Sequence, residues 1–230
     1  VAMSLAPRVG IALAVVIGGI GQLLAPRLTA SASPLLLAAL MIGTLAYATR
    51  ALHLDGLADT ADALGSGRPA AQALDIARRS DIGPFGVVTL VLVLLVQVLA
   101  LGGLVADGRS LAALVVAVGT SRLAIVVGCV RGVPSARSDG LGAMVAGTLA
   151  PWVVTLEIVA WLALCAAAGL LGAPAAAISS VVAAAAGLAV AALMLRVCVR
   201  RLGGITGDTL GAVVELTMTA SLVILVVLPA

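Results

Sequence analysis

Apolar stretches of about twenty residues recur along the whole chain, and they constrain its fold more than any other feature. Hydrocarbon offers no water to backbone N–H and C=O groups, so a spanning chain must satisfy them within helices or a closed barrel. The alternating pattern of a barrel strand is absent. The sequence therefore predicts an all-α polytopic membrane protein of about seven transmembrane helices, with its functional loops on the cytoplasmic face. Candidate spans lie at about 9–25, 34–50, 84–106, 111–130, 149–171, 174–195 and 210–229 of a single domain covering 1–230. Pro34, Pro84, Pro151 and Pro174 stand near span starts, where a missing N–H costs least. With 63% hydrophobic and 10% charged residues, the lipid bilayer is the expected main partner.

The basic residues orient these spans. Arg8, Arg50, Arg68, Arg78, Arg79, Arg131, Arg137, Arg196, Arg200 and Arg201 fall on one side, whereas only Arg27 and Arg109 fall on the other. Arg122 sits inside a span. This asymmetry places the arginine-rich side in the cytoplasm. A net charge of +3 gives no reason to expect nucleic acid. Cys129, Cys165 and Cys198 are far apart, in or beside apolar segments, and read as packing residues. Assembly with further copies of the chain is left open.

Polar chemistry gathers on the same side. Asp55, Asp59 and Asp62 are spaced i, i+4, i+7, which puts them on one helical face. Like charges so placed repel, so a counter-charge is expected, and Mg2+ holding a phosphorylated substrate meets that need. The plainer reading is a solvated interfacial helix. A second constellation is Gly203, Gly204, Thr206, Gly207 and Asp208, with Glu215 two turns further on. Its amides can face phosphate oxygens at a helix start, while Asp208 reads either as a metal ligand or as a helix cap. Glu215 lies inside a span, where an acid is costly and by default functional.

Arg78, Arg79, Ser80 and Asp81 precede the 84–106 span, and Arg137 lies in a Gly-rich loop. Both stretches suit phosphate binding or ordinary membrane anchoring. His53 reads as a general base, a cap or a packing residue. No role is assigned to Glu157. Taken together, these residues predict metal-assisted chemistry on a phosphoanhydride, with Asp55, Asp59, Asp62 and His53 catalytic. The metal would be held by Asp55, Asp59, Asp62 and Asp208, and substrate by Arg79, Ser80, Arg137, Gly203, Gly204, Thr206, Gly207 and Glu215.

Four strings carry a resemblance to a known family: HLDGLADTADALGSG from His53, RRSDIGPFGVVTLVLVLL from Arg78, ARSDGLGAMVAGT from Ala136 and GGITGDTLGAVVEL from Gly203. In this order they resemble the cobalamin synthases, adenosylcobinamide-GDP ribazoletransferases. The resemblance implies a polytopic inner-membrane transferase that needs Mg2+, joins adenosylcobinamide-GDP to α-ribazole or its 5′-phosphate, and releases GMP. The chain departs from the family pattern at Arg79, Asp81 and Thr217–Met218, and a family segment is expected ahead of Val1. Two rival readings remain. A CDP-alcohol phosphotransferase also uses clustered aspartates, but its signature is compressed here and lacks an arginine. A transporter would place acids mid-span, a requirement that only Glu157 and Glu215 could meet.

Overall fold

A computed structural model describes all residues except Val1, Ala32, Ser80, Leu171, Gly172, Pro229 and Ala230. The described residues form a short 3-10 turn, Ala2–Leu5, and ten α-helices. These are α1 (Ala6–Ser31), α2 (Pro34–Ala48), α3 (Leu52–Gly65), α4 (Ala70–Ile76), α5 (Pro84–Ala106), α6 (Ser110–Gly128), α7 (Gly140–Val145), α8 (Pro151–Leu170), α9 (Pro174–Leu202) and α10 (Gly207–Val227). The described residues contain no strand, only two isolated bridges between loops. Six helices are long and apolar enough to cross a bilayer, and α2 with α3 would make a seventh across a bend of 89°. The protein is thus an all-α polytopic membrane protein.

The spans pack around α6 and α10, the two most buried of them. α1 lies along α6, α2 along α5 and α8 along α9, while α10 touches α3, α5, α6 and α9. Small residues allow this closeness. On α6, Gly119 leaves room for the Trp161 ring from α8, whose Nε1 donates to Thr120 Oγ1 at 2.9 Å. The outward faces of α1, α5 and α8 remain apolar and exposed, as lipid contact requires. Cys129, Cys165 and Cys198 are free and buried.

The chain turns sharply where the charges begin. Arg50 and Ala51 both take left-handed backbone angles, φ 53 and φ 54, and carry α2 into α3. Continuing α2 straight would drive Asp55 and Asp59 away from the membrane face or into lipid, so the bend keeps the acidic helix at the edge. α3 therefore turns off the line of α2 and runs over the start of α10. Two glycines make that crossing possible. A Cβ on Gly56 would stand 2.6 Å from the Asp208 carbonyl oxygen, and one on Gly211 3.1 Å from the His53 carbonyl oxygen. Backbone meets backbone here, with no side chain between.

Left-handed residues with a Cβ cost about 1–2 kcal/mol. Ala51→Gly is expected to raise the thermal midpoint, reflecting up to about 1 kcal/mol of stabilisation. Gly56→Val is expected to lower it and to cut activity, because the obstacle it meets is backbone that cannot rotate away. Paired melting curves of the two variants check both expectations.

Candidate active site

The carboxylates of α3 divide by what they touch. Asp62 is buried, and its oxygens accept from the Gly83 N–H at 2.7 Å and the Gly86 N–H at 2.9 Å. It caps the first turn of α5, whose N–H groups otherwise lack partners and whose dipole favours an anion. Asp55 and Asp59 differ. Among the described residues their carboxylates accept no hydrogen bond and meet no cation at ion-pair distance. Burial first, then the charges of Asp55, Asp208 and Asp62, push the Asp59 carboxyl up to about 6, against a smaller opposing pull from Arg137.

Asp208 joins them from the start of α10. Thr206 is the helix cap: its hydroxyl accepts from the Thr209 N–H, and the Thr209 hydroxyl accepts from the Thr206 N–H. Asp208 lies in the first turn instead, where it accepts from the Thr206 hydroxyl at 3.3 Å and faces the Arg137 guanidinium at 3.9 Å. Arg137 also donates to the Leu74 carbonyl, so it braces α4 against α10. Arg78 grips Asp139 at 2.7 Å and ties the end of α4 to the start of α7.

A cavity of about 320 Å3 opens beside the acidic face, lined by Asp59, Asp62, Arg79, Asp81 and Phe85 among others. It combines unpaired acids with one guanidinium, a polarity suited to a phosphorylated ligand and a cation. A larger cavity of about 430 Å3 lies between α8 and α9, but its walls are apolar.

Several expectations need correction. Among the described residues, no group of three or more His, Cys, Asp or Glu side chains is arranged to hold a metal ion. The four-carboxylate set Asp55, Asp59, Asp62 and Asp208 is not a preformed cage, because Asp62 is turned onto α5 and Asp208 toward Arg137. The donor chemistry still fits Mg2+, which takes one or two carboxylates, substrate phosphates and water in preference to a protein cage. The observation supporting that fit is that the Asp55 and Asp59 carboxylates, on one face of α3, accept no hydrogen bond and meet no cation at ion-pair distance among the described residues.

The glycine loop is also less open than its sequence implied. The Gly203 N–H donates to Val199, the Ile205 N–H to Pro134 and the Thr206 N–H to Thr209. Gly204 serves packing, since its Cβ would meet the Ser135 and Ala136 backbone. Among the described residues, the Gly207 and Asp208 amides, in the first turn of α10, have no backbone acceptor.

Glu215 does not reach the acidic cavity. It is buried and accepts from Gln97 Nε2 at 2.9 Å, beside Arg122 and a void of about 10 Å3. That space is about right for one water. Glu157 pairs with Arg8 at 3.4 Å and so is not a lone mid-span acid. Ser80 lies outside the described residues.

His53 departs from a free general base. Its Nδ1 stands 3.5 Å from Arg122 Nη2. A guanidinium can only donate, so Nδ1 accepts and the proton resides on Nε2. Burial first, then Arg122, push its pKa down to about 4. His53 is therefore a neutral donor near pH 7. Arg122 and Gln97 were not singled out as site residues from the sequence. Their signal was one arginine and one amide inside otherwise apolar spans.

The chain matches the cobalamin-5-phosphate synthase family over residues 1–226. It is 42% identical to an adenosylcobinamide-GDP ribazoletransferase of Frankia casuarinae, covering 97% of this chain and 84% of that protein. A protein of the same name from Nocardioides sp. is 37% identical, covering 96% of this chain and 84% of its own length. One from Stutzerimonas stutzeri is 40% identical over 87% of this chain and 78% of that protein. No solved structure matches. With its acidic α3, its glycine loop and its helical bundle all inside the matched region, the chain belongs to the cobalamin-5-phosphate synthase family.

Proposed function

We propose that this chain is an adenosylcobinamide-GDP ribazoletransferase acting at the cytoplasmic face of a bacterial inner membrane. It joins the GDP-activated corrinoid to α-ribazole or its 5′-phosphate and releases GMP. The names of its relatives support this reading. The observation that carries it is the pair Asp55 and Asp59, which meet no cation at ion-pair distance among the described residues, with Asp59 lining the Arg79 cavity and the start of α10 held against α3 at Gly56. The cytoplasmic assignment rests on the arginine asymmetry of the sequence.

The reaction is a substitution at phosphorus. An α-ribazole hydroxyl oxygen forms a P–O bond to the phosphorus on the corrinoid arm, and the P–O bond to GMP breaks with its electron pair leaving on GMP. Asp59 takes the hydroxyl proton, since a carboxyl near 6 is a usable base at neutral pH. Asp55 and Asp208 are the residues that would hold Mg2+ together with the pyrophosphate. When bound, the ion would offset phosphate charge and ease departure of the leaving group.

The remaining groups bind and orient. Arg79 offers its planar guanidinium to a phosphate, and the amides of Gly207 and Asp208 add donors at a helix start. His53 contributes an Nε2–H donor. Asp62 and Arg137 act indirectly, by fixing α5 and α4 around the cavity.

Asp59→Asn is expected to lower GMP release from adenosylcobinamide-GDP and α-ribazole by at least about 100-fold, with helix content unchanged. A near-normal rate would overturn the assignment. Replacing the corrinoid donor with a CDP-alcohol should yield no CMP, which separates this reading from its nearest rival.

The pH dependence should run in opposite directions for rate and stability. Activity needs Asp59 ionised, so it should rise through about pH 6. Stability of the metal-free chain should fall as pH rises from 3.8 to about 6, because the folded state holds the Asp59 proton more tightly than the unfolded state does. Asp59→Asn should flatten that fall in a pH series of melting curves.

A further inference from the structure

A second groove lies between the end of α6 and α9. It has a volume of about 280 Å3 and is walled by Val127 on α6, by Val130 just beyond it and by Ala192, Leu195 and Val199 on α9. Arg196 and Arg200 also line it, one turn apart. Both are exposed, and among the described residues neither forms an ion pair or hydrogen bond. Two unpaired cations thus edge an apolar slot near the helix end that leads into the Gly203 loop.

The groove is separate from the acidic site. At 100° per residue, Arg196 and Arg200 lie about 120–160° around α9 from Leu202, and Leu202 packs toward the Ala63 and Ala73 side. The groove is also polar at one end. From Arg200 to Ala192 it runs about 12 Å down the helix, from the membrane face toward the hydrocarbon. That length is under half of the roughly 30 Å core, so it suits a glycerophosphate and the upper part of one acyl chain.

We infer that this groove binds an anionic phospholipid of the surrounding leaflet. Arg196 and Arg200 hold its phosphate, and the α6–α9 slot holds the start of its chain. Charge complementarity selects the anion, and the apolar wall selects a lipid over a free phosphate. The bound lipid braces the end of α9, from which the Gly203 loop departs toward Asp208.

The test is a lipid titration of the full detergent-solubilised chain, read by native mass spectrometry. Phosphatidylglycerol, phosphatidylcholine and inorganic phosphate are the probes. The expected result is retained phosphatidylglycerol, bound roughly thirty-fold more weakly by the Arg196→Gln/Arg200→Gln double variant and unchanged in an Arg68→Gln control. Ala192→Trp, which fills the slot and leaves both arginines, should also weaken it. Three results would overturn the inference: equal binding by the double variant, equal binding of phosphatidylcholine, or displacement of the lipid by an equal concentration of inorganic phosphate.

Discussion

The backbone contact of α3 with the first turn of α10 is the constraint on which the rest of the structure depends. Gly56 and Gly211 remove the side chains that would separate the two helices. Asp55 and Asp59 are thereby brought beside Asp208, from a segment about 150 positions later in the chain. Among the described residues no cation stands at ion-pair distance from Asp55 or Asp59, and Arg137 faces Asp208. The cost is held in check by the α2–α3 bend, by Asp62 on the start of α5 and by Arg137 between α4 and α10.

The bilayer sorts the remaining acids. Glu215 is accommodated by Gln97 and the neighbouring Arg122, and Glu157 by Arg8. Each has a partner and needs no ligand to account for it. Asp55 and Asp59 lack such partners among the described residues; Asp55 is exposed and Asp59 lines an open cavity. The contrast between acids satisfied within the bundle and acids left open at its face separates architecture from chemistry in this protein. It also explains why a polar site can coexist with so apolar a chain.

Much of this was legible in the sequence, for identifiable reasons. Hydrophobic runs set the helical class because hydrocarbon permits so few backbone solutions. The i, i+4, i+7 spacing put Asp55, Asp59 and Asp62 on one helix, since periodicity is a local property. What each carboxylate touches was not legible, because it is set by distant residues. Asp62 looked equivalent to Asp59 until Gly83 and Gly86 were brought to it. His53 looked like a base until Arg122, on α6, was brought to its Nδ1. The glycine-rich loop looked like a phosphate cradle, yet two of its amides are spent on Val199 and Pro134. Fold class follows from solvent and period, whereas side-chain roles follow from tertiary partners.

The central claim is that the open carboxylates form half of a cation site whose other half arrives on a pyrophosphate. Melting curves of the full chain with Mg2+, with GDP and with both test it most directly. The account predicts a rise in the midpoint with both together that exceeds the sum of the separate rises, and its loss in Asp55→Asn. An additive response in the parent chain, or an undiminished one in the variant, would contradict it.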